Sequence, residues 1–312
     1  MKKSAKKSEK KSAKQSAKKS PAKSAMRPAT NVAAKSGDLV YVYGIVRDDF
    51  DTNRSPTGLD DTRVAMAKSG RIGALVSRVP NAAYAPEAVE EQSGDVAWLS
   101  PRAMAHDRVL TWAQDHGGVI PMPMFSLWRS EDALTRSLAE QGSGLSRVFE
   151  RVSGADEFGL RVHRRDAALL ASIDDFDPDI AKLRREASSA SPGQRYLLEA
   201  KIAEQGKGAI RAAAQRMAKQ IFDDLRAIAR DALQRPLTPD ASGARVPDAT
   251  LVLNGAFLVD RKRLDEFRAA VGAHVREYQQ RGLAFDFTGP WPPYNFVSEP
   301  GGAALRHGAK SQ

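Results

Sequence analysis

The histidines and their neighbours are the first candidates for chemistry in this sequence. His106 is followed directly by Asp107, and a histidine with a carboxylate can work as an acid–base pair. Adjacent residues on a helix point in different directions, which argues against that pairing. An enzyme with an unrecognised pocket near His106 is therefore kept only as an alternative. Metal-ligand spacing on a helix is not found in any pair among the histidines, which are His106, His116, His163, His274 and His307.

An acidic stretch comes closest to a metal-binding pattern. Positions 1, 3, 5 and 12 of a calcium-loop template are occupied by Asp175, Asp177, Asp179 and Glu186. The sixth position needs a glycine for its sharp turn, but here it is Ile180, and Pro178 also lies inside the loop. We interpret the stretch as an acidic turn in which a helix begins after Pro178. The residue patterns thus predict no catalytic residue, no metal and no cofactor.

Charge is distributed unevenly along the 312 residues. Residues 1–37 hold eleven lysines and one arginine against Glu9, a net charge of +11. The whole chain has a net charge of +10, so the other residues together carry −1. A stretch with so little apolar content is predicted to be a disordered tail. Two roles stay open for it: a solubilising tail, or an electrostatic handle for an acidic partner or polyanion. The lysines of this handle include Lys2, Lys3, Lys6, Lys7, Lys10, Lys11, Lys18 and Lys19.

Composition also limits the compartment and the class of partner. The chain has no cysteine, which excludes disulfides and fits a reducing, cytoplasmic setting. No apolar run approaches the ~18 residues of a membrane helix, and the basic start lacks the apolar region of a signal peptide. We therefore expect no membrane association. Without its tail the chain lacks the basic excess of a nucleic-acid-binding domain, so nucleic acid binding through the tail alone stays an alternative.

A first α+β domain is predicted at residues 38–153. Leu39–Val46 is a continuous apolar run rich in β-branched and aromatic residues, as expected of a central strand, and Arg71–Val79 is a second strand. The serine–proline pair at 100–101 indicates the start of a helix, which ends at the glycines 117–118. An extended apolar segment and a further helix complete this domain.

A second α+β domain is predicted at residues 154–298. It begins with a strand at Phe158–Val162, followed by a long amphipathic helical region in which Gly206 and Gly208 are candidate breaks. The remaining elements are a strand at Ala249–Val259, a helix at Arg261–Arg281 and a strand at Leu283–Thr288. This order indicates an α+β protein of two α/β-sandwich domains joined by helices, the second compatible with a ferredoxin-like fold. Residues 299–312 are predicted to be a flexible C-terminal tail.

The stretch Gly289–Phe296, with the sequence GPWPPYNF, is the most unusual in the chain. Its three prolines exclude a helix interior or a central strand, and Gly289 can take a positive φ. We predict that the preceding strand ends here in a rigid turn that projects large aromatic side chains. Such a turn can cover a hydrophobic core as a lid or present anchors to a partner, and both interpretations stay open. The candidate partner-binding residues are Trp291, Tyr294, Phe296, Phe125 and Trp128.

Several stretches carry a resemblance to a known family. They are Tyr41–Val46, Val119–Pro121 with Phe125, Glu157–Val162, Gly193–Leu198, Leu253–Val259 and Gly289–Phe296. In this order they resemble motifs of the gas vesicle protein F/L family (GvpF/GvpL), and the last is the most specific. The likeness runs from about Leu39 to Val297, nearly all of the predicted folded part. The lysine-rich tail lies outside it.

The resemblance implies a non-enzymatic accessory protein for the assembly of gas vesicles, the protein-shelled buoyancy organelles. It implies a two-domain α+β design, with the small hydrophobic shell protein and other accessory proteins as partners, in the cytoplasm or on the vesicle. A factor that holds aggregation-prone subunits needs apolar surface and no catalytic groups, which agrees with the residue patterns. The expected function is that of an assembly factor or a minor shell component.

Overall fold

The computed structural model describes residues 37–238 and 249–297. The predictions about the lysine-rich tail and about residues 299–312 therefore lie outside the described residues, apart from Gly37. Within these ranges the protein contains helices and two antiparallel sheets, which confirms the predicted α+β class.

The first sheet belongs to the N-terminal half of the chain. Its strands are β1 (Asp38–Arg47), β2 (Ala65–Ser69), β3 (Ile72–Pro80), β4 (Ile120–Pro121) and β5 (Leu127–Trp128). They lie in the order β2-β3-β1-β4, and β5 also pairs with β1. The helices of this half are α1 (Asn81–Tyr84), α2 (Pro86–Gln92), α3 (Val96–His116) and α4 (Glu131–Val152).

Both faces of the first sheet are covered, by α3 on one side and α4 on the other. This explains why β1 is apolar from Leu39 to Val46, between its charged ends. A register shift between Val42 and Gly44 reverses the alternation partway along the strand. Val40, Val42 and Ile45 therefore all face α4, although Val42 and Ile45 are three residues apart and a regular strand would place them on opposite faces. The sequence prediction of a central strand here is confirmed.

The start of α3 differs from the prediction. The helix begins at Val96, and Asp95 caps it by accepting a hydrogen bond from the Ala97 amide over 2.9 Å. Pro101 lies inside the helix, whereas the serine–proline pattern predicts it at the first helical position. The capping carboxylate, which satisfies an otherwise unpaired amide, sets the boundary five residues earlier than the serine–proline pair does.

The second sheet belongs to the C-terminal half. Its strands are β6 (Ala155–Arg165), β7 (Asp231–Gln234), β8 (Ala249–Asp260) and β9 (Leu283–Trp291), and its helices are α5 (Asp166–Ala171), α6 (Pro178–Ser189), α7 (Pro192–Ile228) and α8 (Leu264–Tyr278). The sheet order is β7-β8-β6-β9, with every pair antiparallel. The β-α-β-β-α-β succession with this order is the ferredoxin-like topology, as the sequence suggested. All four helices contribute to the core on one face of the sheet.

The helix α7 is continuous over 37 residues, so neither of the candidate breaks, Gly206 and Gly208, interrupts it. Gly206 is buried, and a Cβ on it would lie 2.9 Å from the Leu170 side chain. The glycine therefore permits close packing against α5. Packing along the buried face of so long a helix outweighs the cost of about 1 kcal/mol that a glycine carries.

The two halves meet at the turn between α4 and β6, where Gly154 takes a positive φ. The predicted domain division at residues 153 and 154 falls in this turn. Independent behaviour of the halves stays a prediction, because side chains from both halves pack and hydrogen-bond with each other.

Candidate partner-binding site

The strand β9 continues into the proline-rich stretch instead of ending before it. Trp291 pairs with Glu157 on β6, beyond a register shift in the ladder. Proline is tolerated here because β9 is an edge strand, with β6 as its only neighbour in the described sheet. Gly289 has a φ of 116°, and a Cβ on it would lie 2.8 Å from the Glu157 carbonyl oxygen. Only glycine fits this close approach without strain.

The side chains of the proline-rich stretch divide between core and surface. Pro292 and Pro293 are buried, and so is Phe296, which is 3% exposed. Trp291 and Tyr294 are each 41% exposed. The lid and anchor interpretations therefore apply to different residues of one turn: the prolines and Phe296 close the core, while the tryptophan and tyrosine face outward.

Hydrogen bonds with one residue of β6 and one of α4 fix this turn. The Asn295 amide donates to Glu157 Oε2 over 2.8 Å, and its side-chain amide donates to the other carboxylate oxygen. Arg151 donates to the Phe296 carbonyl oxygen. Burial raises the pKa of Glu157, while the hydrogen bonds from Asn295 counter that shift. The backbone that carries Trp291 and Tyr294 is therefore held by hydrogen bonds to both β6 and α4.

Phe296 also ties the turn to the junction between the halves. It packs in a small cluster with Val152 at the end of α4 and with Leu258 on β8. Its neighbour Val297 contacts this cluster and the core between the first sheet and α4. The turn therefore lies where the two halves meet.

A buried hydrogen-bond chain positions the segment that carries Phe125. Tyr41 Oη lies 2.7 Å from His106 Nδ1, and His106 Nε2 lies 3.2 Å from the Met122 carbonyl oxygen. The Phe125 amide donates to the Tyr41 hydroxyl over 3.3 Å. This network assigns the proton to Nε2, since a carbonyl oxygen can only accept. Burial lowers the pKa of His106 to about 4, so the imidazole is neutral at pH 7.

The network decides between the two interpretations of His106. Both of its ring nitrogens are occupied by protein groups, and it is 5% exposed. Asp107 points into solvent instead of toward the histidine. The arrangement is a structural one that holds the loop between β4 and β5.

Phe125 lies at the partly exposed end of this loop with a φ of 62°. Its ring stacks on Trp98, with centroids 5.5 Å apart and an interplanar angle of 18°. The Arg102 guanidinium lies over the Trp98 ring, with its central carbon 4.3 Å from the ring centroid. Sequence reasoning missed Trp98, because the predicted helix began after it.

Tyr294, in the C-terminal turn, interacts electrostatically with residues of both halves. Its pKa is raised by burial of the hydroxyl end, then by the carboxylates of Asp107 and Glu157. Tyr294 in turn contributes to the raised pKa of Tyr41, which is in edge-on contact with Phe125. Tyr294 therefore interacts electrostatically with groups of the N-terminal half. We call the partly or fully exposed aromatic residues Trp98, Phe125, Trp291 and Tyr294 the junction surface.

Two of the predicted partner-binding residues lie in the core. Trp128 is 6% exposed between the first sheet and α4, and Phe296 lies in the cluster described above. Trp291, Tyr294 and Phe125 remain as surface candidates, and partner binding by them stays a prediction. Large apolar residues are more often core than interface, which is why type alone did not separate the two groups.

The acidic stretch behaves as the sequence indicated. Asp177 caps α6 by accepting a hydrogen bond from the Ile180 amide over 3.1 Å, and Pro178 is the first helical residue. Within residues 37–238 and 249–297, no group of three or more histidine, aspartate or glutamate side chains is arranged to hold a metal ion. In the same part of the chain, no helix has the length and apolarity needed to span a membrane.

These features define a class: a two-sheet α+β protein with a ferredoxin-like second half and a rigid aromatic surface at the junction. The family model for "Gas vesicle synthesis protein GvpL/GvpF" matches residues 39–298. The chain therefore belongs to the GvpL/GvpF family, as the sequence motifs suggested. This family is not known as an enzyme family.

Curated relatives and solved structures agree with this assignment. The chain is 27% identical over 261 residues to gas vesicle protein L of Streptomyces sp. (strain CB03234), covering 83% of this chain and 92% of that protein. It is 28% identical over 260 residues to gas vesicle protein F of the same strain, covering 82% and 98%. The crystal structure of GvpF from Anabaena sp. PCC7120 shares the fold, with a TM-score of 0.62 and 18% identity over 84% of this chain and 99% of that one.

Proposed function

We propose that this protein supports gas vesicle formation by binding the hydrophobic shell protein through the junction surface, without catalysing a reaction. Family membership supports a role in vesicle formation. The observation that carries the binding role is the rigid turn that exposes Trp291 and Tyr294 while burying Phe296. Binding through preorganised aromatic side chains costs little conformational entropy, so such residues are effective anchors.

The chemistry of the surface suits an assembly factor. A subunit that forms a gas-filled protein shell exposes apolar surface until it is incorporated, and a transient binder must cover that surface reversibly. The junction surface offers aromatic rings with partly exposed faces, backed by a fixed backbone. The protein acts before or during incorporation in the cytoplasm, or stays on the vesicle as a minor shell component. Other gas vesicle accessory proteins are further partners in this proposal.

Co-expression with the shell protein tests this function. The shell protein should co-purify with the full chain, and a larger fraction of it should stay in the supernatant than when it is expressed alone. Absence of co-purification together with unchanged solubility of the shell protein would contradict the proposal. Sedimentation of purified vesicles in the same experiment separates the two locations, because a minor shell component stays with the vesicles.

A further inference from the structure

We infer that a second copy of this chain docks on the outward side of the first part of α7, so that the protein forms an antiparallel dimer. In this dimer, Tyr196 of each copy enters a groove between α6 and α7 of the other copy. This surface is separate from the junction surface, and the inference does not depend on binding of the shell protein.

The first part of α7, residues 192–205, is covered on one side only. Among its fourteen residues, Leu198 and Ile202 are half-buried and pack against the core of the C-terminal half, while the other twelve are exposed. Arg195 donates to the Ala187 carbonyl oxygen near the end of α6 over 3.1 Å, which holds α6 along the covered side. The opposite side of the helix faces solvent.

Large apolar side chains lie on this solvent side. Tyr196 is 73% exposed and Leu197 is 68% exposed. At 3.6 residues per turn, Tyr196 shares its side of the helix with Ala200 and Ala203, away from α6. A surface helix normally turns polar residues to solvent, so apolar residues on this side indicate a partner that covers them. Both exposed residues belong to the stretch Gly193–Leu198, which carries part of the family resemblance.

A groove beside Tyr196 has the chemistry to receive a tyrosine. It lies between α6 and α7, has a volume of about 720 Å³, and includes the polar side chains of Ser188 and Glu199. Its apolar lining comprises Leu170, Ala187, Ile202 and Ala203. A tyrosine suits such a lining, because its ring is apolar and its hydroxyl needs a hydrogen-bond partner when buried. The ring of the same chain leaves the groove open, since Tyr196 is largely exposed.

The projecting ring and the groove lie on the same side of one helix, which is the arrangement that a two-fold dimer needs. Glu199 and Ala203, which line the groove, are three and seven residues after Tyr196 and therefore share its side of α7. A two-fold contact uses one surface twice, so each copy supplies both a ring and a groove. A different partner would have to bring an apolar ring of its own, whereas a second copy already carries one.

Charges farther along α7 determine the direction of pairing. Glu204, Lys207 and Arg211 are exposed and follow the apolar residues on the solvent side. In a parallel pair each of these charges would oppose its own copy, which is repulsive. An antiparallel pair centred on Ala200 avoids this, and it brings Tyr196 of one copy to the level of residues 203 and 204 of the other. That level is where Ile202 and Ala203 line the groove.

Sedimentation velocity of the full chain over a concentration series tests the dimer. At physiological salt we expect wild type to change from a monomer of 33.9 kDa to a dimer, with a Kd on the order of 10–100 µM. The association is weak because one helix pair is smaller than a standard interface. Tyr196→Ala removes the ring that enters the groove and should raise the Kd by roughly tenfold or more.

Two further variants separate this contact from a general effect of apolar surface. Met104→Ala is the matched control, because Met104 is 70% exposed on α3, and this variant should dimerise like wild type. Ala203→Gln places a longer, uncharged side chain in the lining of the groove without loss of helix-forming tendency, and it should weaken the dimer as Tyr196→Ala does. Circular dichroism melting curves confirm that each variant is folded.

The absence of cysteine from the chain allows a direct test of the geometry. Ala200→Cys places one thiol at the centre of the contact, where the two copies meet within disulfide range, with Cα atoms about 4.4–6.8 Å apart. Mild oxidation should therefore give a disulfide-linked dimer. Gln205→Cys is the control, since Gln205 is exposed on the same helix but points away from the contact side, and it should stay largely monomeric.

Each outcome supports or overturns the inference. A monomer at every concentration, a dimer that Tyr196→Ala leaves unchanged, or equal cross-linking of the two cysteine variants would overturn it. If wild type stays monomeric while Tyr196→Ala lowers retention of the shell protein, the surface binds that protein and the inference fails. A confirmed dimer beside a failed co-purification of the shell protein rejects only the proposed function.

Discussion

Gln114, near the end of α3, donates a hydrogen bond to Asp156 on β6 over 2.8 Å and so joins the two halves of the protein. The same amide nitrogen donates to the Ala155 carbonyl oxygen over 2.9 Å, and Arg261 bridges the Gln114 backbone to the Asp156 carboxylate. Gln114 is 5% exposed, so these partners have little access to replacement by water. The C-terminal turn is anchored on Glu157, the residue after Asp156 in β6, so the joint and the turn share this strand.

Gln114→Ala is expected to destabilise the protein by about 1–3 kcal/mol, because it leaves buried hydrogen-bonding groups without a partner. Urea unfolding followed by circular dichroism measures the change. Gln220→Ala, on the exposed side of α7, is the matched control and should change stability by less than about 0.5 kcal/mol. Equal stability of Gln114→Ala and wild type would show that the joint contributes little.

Phe296 and Trp291 should respond differently to truncation, because one lies in the core and the other on the surface. Phe296→Ala removes a buried ring and should cost about 3–5 kcal/mol of unfolding free energy. Trp291→Ala should change stability by less than about 1 kcal/mol and weaken partner binding by about 2 kcal/mol or more. Thermal melts and binding measurements on both variants check this. A large loss of stability in Trp291→Ala would make that residue part of the lid.

The pKa of His106 predicts a specific acid sensitivity. Burial lowers this pKa from 6.5 to about 4, so the unfolded chain takes up the proton first as the pH falls. Stability that is fully present above pH 6.5 is therefore lost as the pH falls toward 4, by about 3 kcal/mol over that window. The measurement is unfolding free energy against pH for wild type and His106→Gln, which keeps a donor and an acceptor.

The difference between the two proteins isolates His106 from other groups. Glu157 contributes with the opposite sign, because its pKa is raised: its stabilising contribution is present below its ordinary pKa and is lost as the pH rises. Subtracting the two curves cancels this effect. Parallel curves for wild type and His106→Gln would contradict the buried, neutral state of the imidazole.

Strong local patterns in the sequence predicted the elements that depend on them. The apolar run of β1 and the alternation of apolar Phe158, Leu160 and Val162 with Gly159 and Arg161 in β6 indicate both central strands, since each pattern reports directly on burial. The continuity of α7 was not predictable, because Gly206 lowers helix propensity locally while its packing against Leu170 is a tertiary contact. Propensity is outweighed wherever such contacts form.

The candidate site was predicted in part for a related reason. Residue type identified Trp291, Tyr294 and Phe125 as candidates, but Trp128 and Phe296 have the same chemistry and lie in the core. A proline-rich turn has no periodicity from which an outward face can be read. Nor does local sequence indicate that the C-terminal turn is anchored on Glu157 at the start of β6, far away in the chain.

The lysine-rich tail gives a prediction that does not depend on its structure. Removing residues 1–37 should leave the melting temperature nearly unchanged, because Met1, Met26 and Val32 are the segment's only apolar side chains larger than alanine and proline. Binding of the full chain to a polyanion should weaken steeply with salt, with a slope of roughly −0.9 per phosphate contact on duplex DNA. Salt titrations of both chains measure this. Polyanion binding that survives truncation would place the basic site elsewhere.

Retention of the shell protein by surface variants tests the central claim most directly. The full chain is immobilised and the bound shell protein is quantified for wild type, for Trp291→Ala with Tyr294→Ala, and for Tyr196→Ala with Leu197→Ala. The last pair is a matched control, because Tyr196 and Leu197 are 73% and 68% exposed on α7. We predict that the first double variant lowers affinity by about 30-fold, the equivalent of ~2 kcal/mol, while the control binds like wild type. Wild-type retention by the first variant, or an equal loss in the control, would contradict binding through the junction surface.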